Sequence, residues 1–311
     1  MGAIGAFVVF LVGTAAPRSM IVWTFAHQPA GVVHVDSLVA THQGFALLSG
    51  PETGGTVLWT STNGISWSER PIPGAPTRLV VADDGLLAFA GRWVMAVPGE
   101  GERPVSRIDL PLLVRVGYGS GRAGLVGGSG GLVAQAFTGD VFWAKDGAPF
   151  EVVVSAPQWG EATGMPAEDN CDPPTVSSVD VPPLVSTPDG FITLVSLNGN
   201  DPFGIWPVCQ PEVWAAPDGT TWRLISEGSP FEPGAYIYDV AWRDGRLLAV
   251  GGVGVDQPAM WISDDGRSWD RLKPLPAEHP YELREVAAGG LGWVVLGEWA
   301  ARPGLTGWVS P

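Results

Sequence analysis

The chain has 311 residues, a formal charge of −15 and only 16% charged side chains. An acidic surface repels phosphate backbones, which excludes nucleic acid as an expected partner. With 43 Gly, 29 Pro and 15 Trp and no long run at period 3.6, the chain suits many short strands joined by turns rather than a helical protein. The 15 Arg against 2 Lys accord with a GC-rich bacterial genome.

The N-terminus carries an apolar run from Ala3 to Val12, followed by the small residues Gly13 and Ala15. It is too short to span a bilayer and resembles the apolar part of a secretory signal, although the first basic residue is Arg18. Residues 1–18 are therefore expected to be a signal-like or anchoring segment, and 19–311 a single domain. That places the protein outside the cell or on its surface, with membrane contact only through this segment if it is kept.

Next comes a repeated unit. "QGFALLSG" at Gly44 is followed by "VLWTSTNGISW", with Trp59 and Trp67 eight residues apart around Asn-Gly. "DGLLAFAG" at Gly85 opens a second unit whose aromatic pair is lost; the same 23-residue step lands on Ile108. "AGLVGG" at Gly124 precedes Phe142 and Phe150 around Asp-Gly. "DGFITLVS" at Gly190 precedes Trp214 and Trp222, and "DGRLLAVGG" at Gly245 precedes Trp261 and Trp269. "GGLGWVVLG" at Gly290 precedes Trp308, and there the chain stops before a fourth strand.

Each aromatic pair brackets a strong hairpin signal, and each turn Gly opens an apolar strand. A three-residue loop with Gly in the left-handed region would set Trp59 directly opposite Trp67, so that the tryptophans clamp the hairpin. Units of about 40 residues with four strands each point to a β-propeller. Six turn glycines predict an all-β, six-bladed propeller of four-stranded antiparallel blades. "IVWTFAHQPAG" resembles "ISWSERPIPGA", so an N-terminal strand bearing Trp23 is expected to complete the last blade and close the ring. Two separate sandwiches would leave the regular repeat unexplained.

"STNGISW", "APDGTTW" and "SDDGRSW" resemble the Asp-box (BNR) repeats of sialidase-like propellers, especially the exported propellers of actinobacteria whose function is uncharacterised. One residue separates Asp from Gly in the Asp-box pattern, whereas Asp265 and Gly266 are adjacent. The resemblance implies a fold, because the Asp-box is a structural turn away from the sialidase active site. Sialidase chemistry would need several arginines on a substrate carboxylate, a Tyr nucleophile with a Glu partner, and an Asp acid. The family's Arg-Ile-Pro motif is absent; the nearest strings, at Arg70 and Arg107, fall in fourth strands. No catalytic residues are assigned.

His27, His34, His42 and His279 lack metal-ligand spacing. "AEDNCD" (167–172) carries oxygen ligands of the kind that hold Ca²⁺ but lacks calcium-loop spacing, so a solvated acidic loop is expected and no cofactor. Cys171 and Cys209 fall in loops on the same propeller face and are expected to form a disulfide; two buried thiols are the alternative.

All long loops fall on one face, opposite the short Gly turns. There or near it fall the aromatics Trp159, Phe203, Trp206, Tyr236, Tyr238, Tyr281 and Trp299; the candidate binding residues are Trp159, Trp206, Tyr236 and Trp299, with Asp169, Asp172 and Asp201 among them. Aromatics with carboxylates suit a sugar or a protein partner. The expected function is thus a non-enzymatic, monomeric exported propeller that binds protein or glycan. A sialidase-like glycoside hydrolase and a structural or envelope-assembly propeller are the alternatives.

Overall fold

The computed structural model of the chain describes residues 24–26, 32, 35–49, 56–72, 76, 78–82, 85–90, 93–97, 124–128, 131–135, 141–145, 151–154, 183–195, 211–226, 230–254, 257–273, 275, 281–290, 292–299 and 305–310. Among these there are strands and turns and no helix.

The strands form antiparallel sheets in chain order. The first sheet is β2 (Ser37–Thr41), β3 (Gly44–Ser49), β4 (Val57–Ser61) and β5 (Ser68–Pro71). The second is β6 (Arg78–Ala82), β7 (Gly85–Ala90) and β8 (Trp93–Ala96). The third is β9 (Gly124–Gly128), β10 (Gly131–Gln135), β11 (Val141–Lys145) and β12 (Glu151–Val154). The fourth is β13 (Leu184–Thr187), β14 (Gly190–Val195), β15 (Glu212–Ala216) and β16 (Arg223–Leu224). The fifth is β17 (Ala235–Arg243), β18 (Arg246–Val253), β19 (Gln257–Ser263) and β20 (Asp270–Arg271). The last contains β21 (Tyr281–Gly289), β22 (Gly292–Trp299), β23 (Leu305–Ser310) and, on its outer edge, β1 (Thr24–Ala26).

This is a propeller arrangement. The inner strand of each sheet lines a central channel, and hydrophobic clusters fill the spaces between the first and second, third and fourth, fourth and fifth, fifth and last, and last and first sheets. The expectation of six four-stranded blades needs correction. Five sheets have four strands and the second has three. Its third strand, β8, is followed by none of the Asn-Gly or Asp-Gly loops that return the chain to a fourth strand elsewhere, and Ile108, where the repeat spacing would put that strand, lies outside the described residues.

Two turn assignments also move. The third-sheet hairpin turns after Gly128, with Gly124 opening the inner strand instead, and the left-handed glycine of the last sheet is Gly292 rather than Gly290. On the outer edge of the last sheet Phe25, not Trp23, lies opposite Trp308. Trp23 lies outside the described residues.

The tryptophan register is the largest correction. Trp59 lies opposite Glu69, Trp214 opposite Leu224 and Trp261 opposite Arg271. The second tryptophan sits inside the loop, two residues short of the expected position. The reason is side-chain capping, which makes the loop longer than a three-residue hairpin. Asn63 Oδ1 accepts from the N–H groups of Ile65 and Ser66 at 2.9 Å each, and Ser61 Oγ accepts from Gly64 N–H at 2.8 Å. Asp265 and Ser263 repeat this pattern, and Asp218 accepts from Thr220 and Thr221.

Such local bonds compete with the sheet ladder and hold the loop open. The indole N–H of Trp67, Trp222 and Trp269 then donates back to the carbonyl of Gly64, Gly219 and Gly266, whose φ values are 71°, 75° and 73°. Instead of clamping each other, Trp261 and Trp269 both pack on Phe231, with ring centroids 5.5 and 5.3 Å away.

The loop carboxylates make the fold sensitive to acid. Backbone N–H donation from Thr221 and Thr220 holds Asp218 well below the usual carboxylate range. At Asp265 burial raises the pKa, but the N–H groups of Ser268 and Arg267 outweigh it and the net shift is downward. A depressed folded pKa means stability that is present above the unfolded value of 3.8 and lost as pH falls through the folded value. Asp218→Asn is therefore expected to flatten the loss of stability below that pH. Urea titrations at stepped pH check this: an acid limb as steep as that of the parent chain would contradict it.

Three inner strands are each bonded to the next sheet by a side chain at one equivalent position, five residues back from the two-residue turn. Ser37 Oγ accepts from Leu79 N–H of the next sheet at 3.1 Å. Asp239 Oδ2 accepts from Val286 N–H at 2.9 Å. Glu285 Oε2 accepts from Leu38 N–H at 3.3 Å, joining the last sheet to the first. Ser37 and Glu285 are buried, so these acceptors satisfy backbone donors at seams where no ladder continues.

Candidate functional site

At the long-loop end of the channel, β17 and β21 are longer than the other inner strands, and their extra residues build a site. Both strands carry a register shift, between Ile237 and Asp239 in β17 and between Leu283 and Glu285 in β21. The residue left over is Tyr238 in one strand and Arg284 in the other. A bulge re-aims its extra side chain, and two bulges at matching positions turn these two toward each other. The Arg284 guanidinium lies 4.0 Å from the Tyr238 ring centroid. Tyr236 meets the Tyr238 ring edge to face at 5.1 Å, and Glu282 pairs with Arg284. All four side chains are half-buried, so two tyrosine rings, one cation and one carboxylate are partly exposed at this end of the channel.

Glycine makes room for it. A Cβ at Gly252 would lie 2.2 Å from the Tyr236 hydroxyl, and one at Gly251 would lie 2.0 Å from the Tyr236 carbonyl oxygen. Gly252→Ala is expected to displace Tyr236 and to cost about 1–3 kcal/mol of stability, the usual range for overpacking. A thermal melt together with the crystal structure of the variant would check it; an unshifted ring and an unchanged midpoint would contradict it.

Of the aromatic residues placed on this face from the sequence, Tyr236 and Tyr238 belong to this cluster. Trp299 lies opposite Tyr281 at the same end of the last sheet. Trp159, Trp206, Asp169, Asp172, Asp201, Cys171, Cys209 and Phe150 lie outside the described residues. The paired residues Trp59, Phe142, Trp214 and Trp261 are buried core, with Trp67, Trp222 and Trp269 in the capped loops. Arg284 and Glu282 escaped sequence reasoning. A signal for them existed: "YIYDVAW" and "YELREVAAG" share an acid followed by Val-Ala, with Tyr238 and Arg284 just before it.

Below this platform lies the channel, a cavity of about 210 Å³. Its walls are mostly aliphatic, with Arg78 and Asp239 as the charged residues among those that line it. Among the described residues no group of three or more His, Cys, Asp or Glu is placed to hold a metal ion. Among the described residues, Glu212 is a third carboxylate with a shifted pKa, after Asp218 and Asp265. Burial raises it, partly offset by the Trp214 indole N–H bond, and it serves the core of the fourth sheet and not the channel.

The chain matches no protein-family model, and no curated protein matches it in sequence. Solved structures do resemble it in fold. A luciferin-regenerating enzyme superposes with a TM-score of 0.55 at 9% identity, covering 90% of this chain and 92% of that one. The calcium-binding protein regucalcin from Agrobacterium tumefaciens does so with a TM-score of 0.53 at 9% identity, covering 90% of each chain. The Trypanosoma rangeli sialidase in complex with the inhibitor DANA has a TM-score of 0.50 at 11% identity, covering 89% of this chain and 55% of that one. At such identities the likeness extends to the fold alone: this chain is an all-β protein with a propeller arrangement.

Proposed function

We propose that this chain is an exported, non-enzymatic propeller that binds a glycan at its long-loop end. The observation that carries this reading is the platform of Tyr236, Tyr238 and Arg284 with Glu282. Aromatic faces suit the C–H faces of sugar rings, and the flanking guanidinium and carboxylate suit hydroxyl groups. The apolar Ala3–Val12 run supports export. A glycan and cell-wall polymer binding screen with the purified chain tests the reading. Tyr238→Ala is expected to weaken a hit by about 30-fold or more, the effect of losing a central aromatic anchor. Gln43→Ala, in an exposed short turn on the opposite face, is expected to leave it unchanged. Binding only to proteins, or equal losses from both variants, would overturn it.

The same reading takes the propeller as a ring closed by its N-terminal strand. Support comes from the pairing of β1 with β23 and from the Glu285 bond to Leu38 across the seam. Deleting residues 19–30 removes a strand and leaves an unpaired sheet edge, so a lower thermal midpoint and self-association are expected. A chain that remains monomeric by light scattering, with its midpoint unchanged, would refute closure.

A further inference from the structure

Arg78 occupies the position in β6 that Ser37, Asp239 and Glu285 hold in their inner strands. Counting back from the turn pairs Thr41–Gly44, Ala82–Gly85, Arg243–Arg246 and Gly289–Gly292 gives the same fifth place in each case. There the other three accept a backbone N–H from the next sheet. A guanidinium has only donors and cannot do so. The side chain lines the channel, and its Nε is buried without a hydrogen-bond partner. No carboxylate among the described residues forms an ion pair with it. The neighbouring walls are Leu79, Val80, Val81, Val126 and Val185. A cation held against aliphatic walls, with its fork unused, is a receptor for an anion, because the low local dielectric strengthens the pairing.

Asp239 sets which anion. It lies in the fifth sheet, three places round from the second, and lines the same cavity. Its oxygens accept the N–H groups of Val240 and Val286, which keeps a negative charge fixed there. A second negative charge on a ligand would meet that carboxylate, so a monoanion fits better than a dianion. We infer that the channel binds a small organic monocarboxylate, its carboxylate forked by Arg78 and its apolar body against the valines. This site is separate from the tyrosine platform and does not depend on the glycan reading.

Isothermal titration of the full chain with butyrate tests the assignment, with butyramide and inorganic phosphate as the comparison ligands. Butyrate is expected to bind saturably at one site, and both comparison ligands at least about tenfold more weakly, since neither offers a planar monoanionic fork. Arg78→Gln is expected to lower butyrate affinity by about tenfold or more. Arg78→Lys should fall between, because an ammonium keeps the charge and loses the fork. Tyr238→Ala should leave butyrate binding intact. If Arg78→Gln does not fold, the lysine variant carries the test alone. No butyrate binding by the parent chain, full binding by the folded Arg78 variants, or phosphate or butyramide binding as tightly as butyrate would each overturn the inference.

Discussion

Replacing Trp261 by alanine is expected to cost about 3–5 kcal/mol of stability, the range for removing a large aromatic from a closed core. Trp261 is 1% exposed and belongs to the cluster between the fourth and fifth sheets. Its loss removes an edge-to-face contact with Phe231 and takes the indole donor away from Glu232 Oε2, which it meets at 2.8 Å. Glu232 also holds Arg271 at 2.6 Å, so one substitution loosens both the core and the pairing of β20. Trp67→Ala is expected to cost less, because Trp67 is only half-buried and its loop is still capped by Ser61 and Asn63. Urea unfolding of both variants, compared by midpoint and slope, checks the order. Equal losses would mean that the capped loops, not the inter-sheet cores, carry the stability.

Removing the acceptors between inner strands should have the second largest effect. Glu285→Ala leaves the Leu38 N–H facing the seam between the last and first sheets, at an expected cost of about 1–3 kcal/mol. Asp239→Ala does the same to Val286 N–H. Ser37→Ala should cost less, since a hydroxyl bond is about half as strong as one to a carboxylate. Glu285→Gln keeps an acceptor oxygen and should recover part of the loss. Hydrogen exchange offers a local readout: the amide of Leu38 should lose protection in Glu285→Ala, while the interior of β18 retains its own. Unchanged protection at Leu38 would remove the acceptor from any role in holding the seam.

Much of the strand order was legible because it depends on local chemistry. Asn63-Gly64, Asp218-Gly219 and Asp265-Gly266 announce loops, and alternating apolar runs such as that of β3 announce buried strands. The exact pairing was not legible. Spacing alone cannot tell a three-residue hairpin from a capped loop. What decides is whether Ser61 and Asn63 bond to the backbone or leave it to the ladder, and that depends on where Trp67 finds room. The meeting of Tyr238 with Arg284 was hidden for a different reason. A bulge adds one residue to one strand, and in sequence Tyr238 and Arg284 stand 46 positions apart with no shared residue type.

The all-β class, the repeat and the left-handed glycines of the capped loops are local properties, since each follows from neighbouring residues and the backbone freedom they permit. That Tyr238 stacks on Arg284, that Glu285 reaches Leu38 from 247 residues away, and that Arg78 faces a channel it shares with Asp239 depend instead on how distant strands meet. Those contacts arise when separate sheets are brought together around one axis, and no local pattern encodes the angle at which they meet.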